Sequence, residues 1–193
     1  MPYISSTDRT ISFKVVYVGP SMSGKTTNLE FLHRALKSER TGQLITLDTD
    51  EERTLFFDYF PVDLGETQGY RVNFQMYTVP GQAYYEASRR LVLEGADAIV
   101  FVVDSTPERM PDNVESFRLL RTSLESFGRD LGTVPIVIQY NKRDCADPAP
   151  LGSVESCLGL EGLPVFQAVA NSGQGVMETA HKACAMAIER FQA

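Results

Sequence analysis

The residues with the most specific chemistry are Gly19-Pro20-Ser21-Met22-Ser23-Gly24-Lys25-Thr26. They fit G-x-x-x-x-G-K-[ST] in full, a loop whose backbone N–H groups cradle phosphate oxygens. A β-branched and aromatic run at 11–18 precedes the loop, and a stretch of helical periodicity at 26–38 follows it. The motif needs that context, because the helix N-terminus adds a favourable dipole to the N–H groups. Lys25 is expected to reach the β- and γ-phosphates. The Thr26 hydroxyl is expected to ligate Mg²⁺, a hard cation that takes oxygen ligands. Gly19, Ser21, Met22, Ser23, Gly24 and Thr27 complete the expected cradle. The loop specifies a nucleoside triphosphate and leaves the base open.

The base is addressed by Asn141-Lys142-Arg143-Asp144, which follows an apolar run at 135–140. This is an N-K-x-D sequence. The Asp144 carboxylate suits two donors on one edge of guanine, N1–H and the exocyclic amine, a pair that adenine lacks. The Lys142 stem is expected along the ring. The Asn141 amide is expected to tie the loop and meet the N7 edge. A further loop at Ala168-Val169-Ala170-Asn171 is placed to offer a backbone N–H to guanine O6, with Ala170 the best match beside Val169.

Alternating strands and helices are expected to position these loops. Strands are read at 11–18, 44–47, 70–79, 99–103, 135–140 and 165–169, and helices at 26–38, 84–93, 114–127 and 176–191. Leu29, Leu32, His33 and Leu36 share one helical face, as do Phe117, Leu120 and Leu124. The unbroken apolar run at 99–103 reads as a strand buried on both faces. Such alternation implies a mostly parallel sheet covered by helices on both sides. Ligands of such sheets bind at the carboxyl ends of the strands, where both motifs fall.

The 193 residues suit one domain, 1–193, and the formal net charge of −7 argues against nucleic-acid binding and supplies no attraction to an anionic membrane. Cys145, Cys157 and Cys184 form no CxxC, and reduced thiols in a cytoplasmic protein are expected. There is no apolar leader, no Met-Gly start and no prenylation cysteine at 191–193, so no direct membrane anchor is expected.

Two further segments complete the motif set: Thr49-Asp50-Glu51-Glu52-Arg53-Thr54-Leu55-Phe56-Phe57-Asp58 and Thr78-Val79-Pro80-Gly81-Gln82. Together with GKTTN and QYNKRD, the strings ERTLFFD and TVPGQ closely resemble the bacterial gliding-motility GTPases, the MglA family, from about residue 11 onward. The resemblance implies an α/β fold: a three-layer α/β/α P-loop NTPase, the small-GTPase G domain, with a mostly parallel central sheet. It implies a GTP/GDP switch that uses Mg²⁺ and hydrolyses GTP slowly without an activator. It also implies a roadblock-type activating partner (MglB-like), polarity or motility effectors, an exchange factor and recruitment to a cell pole or membrane complex. By the same resemblance Arg53 matches a built-in arginine finger. Thr54 matches the switch threonine at Mg²⁺ and the γ-phosphate, Gly81 the glycine whose N–H meets that phosphate, and Gln82 the glutamine that orients water.

The chain departs from the pattern twice. Ser21 stands where the family usually has glycine, near the γ-phosphate, and would crowd Gln82 or Arg53. Thr78 stands where Ras-like proteins carry an Mg²⁺-linked aspartate, leaving Asp58 or Asp104 to supply it. Three alternatives stay open on the sequence: a P-loop kinase or ATPase, a GTP-bound scaffold with negligible turnover, and Arg53 as a surface ion pair with Asp50, Glu51 or Glu52. The residues 55–60 serve either the core or a partner surface.

Overall fold

The computed structural model describes residues 2–37, 42–47, 57–67, 69–79, 86–160 and 162–192. In chain order the elements are β1 (Tyr3–Ser5), β2 (Thr10–Val18), α1 (Lys25–Ala35), β3 (Ile45–Leu47), β4 (Phe57–Thr67), β5 (Tyr70–Thr78), α2 (Glu86–Leu93), β6 (Ala98–Asp104), α3 (Met110–Glu125), β7 (Ile136–Asn141), α4 (Ser153–Leu158), β8 (Val165–Gln167) and α5 (Val176–Gln192). The sheet runs β3-β4-β5-β2-β6-β7-β8, with β1 on β2. Pairing is parallel from β5 through β8 and antiparallel for β3–β4, β4–β5 and β1–β2.

Every residue of β6 is buried, and the strand's period of two divides its side chains between layers. Ala98, Val100 and Val102 pack with Leu29, Leu32 and Ala183 of α1 and α5. Ile99, Phe101 and Val103 pack with Phe117, Leu120 and Leu124 of α3. Burying each large apolar side chain contributes about 1.5–3 kcal/mol. The result is the expected three-layer α/β/α fold with a mostly parallel sheet. No helix among the described residues is long and apolar enough to cross a membrane, and the three cysteines are free thiols.

Several boundaries differ from the sequence reading. α1 ends at Ala35 rather than 38, because Leu36 leaves helical geometry at ψ 42° while its N–H still bonds the Leu32 carbonyl. His33 nevertheless faces inward: its Nε2 accepts from the Leu44 N–H at 3.1 Å and its ring meets Phe60 edge-on. α3 starts at Met110, a turn before 114, with Pro111 in its first turn, where a missing N–H costs nothing. β8 stops at Gln167, and Val169 instead forms an isolated bridge with Gln174. The expected start of α2 at Tyr84 lies outside the described residues.

Three elements were not anticipated. β1 and α4 are short. β4 is long, but Pro61 and Gly65 interrupt its pattern. Pro61 is tolerated because β3 pairs only with residues 57–59, so β4 is an edge strand at that point. Within 55–60, Phe60 is fully buried core and Tyr59 is half-buried against Tyr77; Leu55 and Phe56 lie outside the described residues.

Candidate nucleotide site

The loop between β2 and α1 is shaped by two glycines. At Gly19 (φ +152°) a Cβ would stand 2.2 Å from the Val102 carbonyl oxygen. At Gly24 (φ +99°) it would stand 2.2 Å from the Asn141 side-chain nitrogen. The loop carbonyls find side-chain partners. Lys25 Nζ donates to those of Gly19 (3.0 Å) and Pro20 (2.7 Å), Arg109 to that of Ser21 (2.8 Å), and Asn141 Nδ2 to that of Ser23 (2.7 Å). Among the described residues, the N–H groups of Ser21, Met22, Gly24, Lys25, Thr26 and Thr27 donate to no backbone carbonyl outside a regular element. A row of unmatched donors at a helix start suits a polyanion. Ser23 is buried, and its Oγ has no partner among the described residues.

Burial pushes the Lys25 ammonium down to about 8, the neighbouring Arg89 and Arg109 charges push the same way, and Asp58 opposes them. Asp58 lies on β4. Its Oδ2 accepts from Thr26 Oγ1 at 2.6 Å and from Thr78 Oγ1 at 3.0 Å, while Thr78 Oγ1 accepts from the Asp58 N–H at 2.8 Å. Between the two aspartates open on the sequence, Asp58 is therefore the one brought to Thr26. Asp104 is committed elsewhere: it accepts from Lys142 Nζ at 2.7 Å and from the Thr106 hydroxyl and N–H, with Arg109 Nε at 3.7 Å. Burial raises the Asp104 carboxyl, but the hydrogen bonds from Lys142 and Thr106 and the Lys142 charge outweigh it, and the net shift is downward.

Met22, Gly24, Thr27, Asn141, Lys142, Asp144, Val169, Ala170 and Asn171 line one small cleft. Asp144 is exposed there, as a group awaiting a donor pair must be. Asn141 is the joint of the site. Its Nδ2 holds Ser23, and its Oδ1 accepts from the Ala170 N–H at 2.9 Å, so phosphate loop and base cleft are one unit. This corrects the sequence reading: the Ala170 N–H expected at guanine O6 and the Asn141 amide expected at the N7 edge are both engaged within the protein, because each finds a nearer partner across the joint. Behind them Gln139 donates to Asn28 Oδ1, and Asn28 Nδ2 donates to the Gly24 carbonyl. The larger cavity near Glu94, Arg129, Arg190 and Phe191 contains none of the residues singled out from the sequence. Arg53, Thr54, Gly81 and Gln82 lie outside the described residues.

Sequence reading missed Arg89, Arg109, Asn28 and Gln139. Asn28 lies inside the GKTTN string, and Gln139 is a polar residue interrupting a buried strand; both were visible signals. Arg109 follows β6 in Pro107-Glu108-Arg109, where nothing local marks it.

A mostly parallel sheet, a glycine-bounded phosphate loop after its first parallel strand and an Asn-Lys-x-Asp cleft joined to it define a P-loop guanine-nucleotide protein. The sequence pattern of the ADP-ribosylation factor family matches residues 3–187, and the chain belongs to that family of small GTPases. It is 46% identical over 179 residues to the mutual gliding-motility protein MglA of Myxococcus xanthus, covering 93% of this chain and 92% of that one. It is also 31% identical over 138 residues to human Ras-related protein Rab-44, covering 70% of this chain and 12% of that much longer one. The chain is thus a small GTPase that binds guanine nucleotide, hydrolyses GTP and resembles MglA.

Proposed function

We propose that this GTPase is a polarity or motility switch, one G domain over 1–193, whose hydrolysis is slow alone and accelerated by a roadblock-type partner. The observation that carries the site assignment is the Asn141 bridge, which couples a base cleft to a phosphate loop through two hydrogen bonds. The motility assignment is supported by the match to MglA along nearly the full length of both chains. Polarity effectors and an exchange factor belong to the same reading, as does a cytoplasmic protein brought to a pole by partners.

In this reading Asp144 selects guanine and the Lys142 stem lies along the ring. The N–H groups of residues 21–27 and the Lys25 ammonium hold the phosphates. A phosphate beside Lys25 raises its proton affinity again. Thr26 and Thr54 hold Mg²⁺, with Asp58 as the carboxylate behind Thr26. The fit is supported by the Asp58–Thr26 hydrogen bond. Bound Mg²⁺ neutralises charge on the phosphate oxygens. Gln82 orients water in line with the γ-phosphate, and Arg53 donates to the charge that develops there, an effect worth about 10³–10⁵ in rate. Thr54 and Gly81 touch the group that leaves, so hydrolysis releases both segments.

Single-turnover hydrolysis with and without a roadblock partner tests the proposal. Acceleration by the partner is expected; a rate that no roadblock protein changes would overturn it.

A further inference from the structure

We infer that Arg109 is a positioning residue for the phosphate loop: by holding the Ser21 carbonyl outward it aims the Met22 N–H into the phosphate concavity. The inference rests on the nucleotide-site reading given above. A trans peptide is planar, so the C=O of Ser21 and the N–H of Met22 point in opposite directions. No cis peptide occurs among the described residues. Fixing the carbonyl therefore fixes the donor.

Met22 needs such a hold. Its φ is +63°, in the left-handed region that residues with a Cβ disfavour. Its side chain is 83% exposed, so little packing keeps it there. Neighbouring peptides have other holders: Lys25 takes the carbonyls of Gly19 and Pro20, and Asn141 takes that of Ser23. For the Ser21–Met22 peptide the holder is Arg109, through Nη2 at 2.8 Å.

Arg109 is itself aimed from two sides. Nη1 pairs with Asp112, and Nε lies 3.7 Å from Asp104. Asp104 is buried, and Asn113 clamps its backbone by accepting from its N–H and donating to its carbonyl. One planar guanidinium donates to the Ser21 carbonyl, pairs with Asp112 and faces the Asp104 charge, a task that a single ammonium cannot reproduce. A cation on the carbonyl also polarises the amide, making Met22 N–H a stronger donor. Asp104 holds Lys142 of the base cleft as well, so one carboxylate anchors both ends of the site.

The peptide can be read directly. Ser21-Met22 is the sole Ser-Met step in the sequence, so carbonyl-¹³C serine with ¹⁵N methionine gives one correlated amide signal. In the GDP–Mg²⁺ complex, Arg109→Ala should move the Met22 amide proton and the Ser21 carbonyl upfield and speed GDP release by about tenfold. Arg109→Lys, which keeps the charge but not the fork, should give intermediate values for both. Unchanged release, or faster release with the Met22 signal unmoved, would overturn the inference. Wild type that binds GDP while the variants match it sinks this inference alone; wild type that binds no guanine nucleotide sinks the site reading with it.

Discussion

The Asp58 carboxylate stands 2.6 Å from the Thr26 hydroxyl, although 32 residues separate them and Asp58 lies on an antiparallel strand. Thr78, at the end of β5, braces that carboxylate from the other side. Position 78, where Ras-like proteins carry an aspartate, is a threonine here, and a carboxylate stands on the neighbouring strand within hydrogen-bond reach of it.

Asp58→Asn keeps the shape and removes the charge. The Mg²⁺ concentration needed for half-maximal retention of GDP should rise about 10–100-fold, the usual effect of losing a group behind a metal ligand. Asp104→Asn, which loosens Arg109 and Lys142, should speed GDP release even at saturating Mg²⁺ and leave the half-maximal Mg²⁺ concentration near wild type. The reverse order in a magnesium titration of nucleotide release would return the role to Asp104.

The lowered Asp104 carboxyl makes a prediction about acid. A carboxyl whose folded value lies below its unfolded value of about 3.9 adds stability above that pH and loses it as pH falls through the folded value. Urea unfolding of wild type and Asp104→Asn should therefore show a gap at neutral pH that narrows below about pH 4. A gap independent of pH would mean that the ionised form of Asp104 contributes nothing.

Arg53→Ala and Gln82→Ala should bind GTP nearly as wild type and lose partner-stimulated hydrolysis, by about 10³-fold or more for the arginine. Separate measurement of affinity and single-turnover rate distinguishes this from a binding defect. Normal stimulated hydrolysis in Arg53→Ala would leave Arg53 a surface charge and require the partner to bring any arginine finger.

Ser21→Gly should raise the stimulated rate with GDP affinity nearly unchanged, because GDP lacks the phosphate that the serine crowds. The bond from Arg109 goes to the backbone carbonyl and survives the change. An equal or lower rate would show that the hydroxymethyl group is accommodated.

The phosphate loop and the base cleft were legible because their function is written in contiguous residues: backbone N–H groups, Lys25, and Asn141 with Asp144. The central strands were legible because burial on both faces leaves an unbroken apolar run, as in β6. β4 was not, since half of its logic is the partner strand that lets Pro61 sit at an edge. Asp58 was one of two equal candidates, because strand pairing alone decides which carboxylate meets Thr26. Arg109 left no local mark, and its role depends on the peptide it meets 88 residues away.

A nucleotide panel tests most directly whether this chain is a guanine-selective GTPase. Calorimetry and hydrolysis assays would compare GTP, ATP and XTP on wild type and on Asp144→Asn. A site built to pair with two donors should reject a base that lacks them by about 10⁴-fold. Wild type should therefore bind and cleave GTP in strong preference to ATP. Asp144→Asn should lose GTP and gain XTP, whose altered edge suits an amide. Equal affinity of the wild type for GTP and ATP would contradict guanine selectivity.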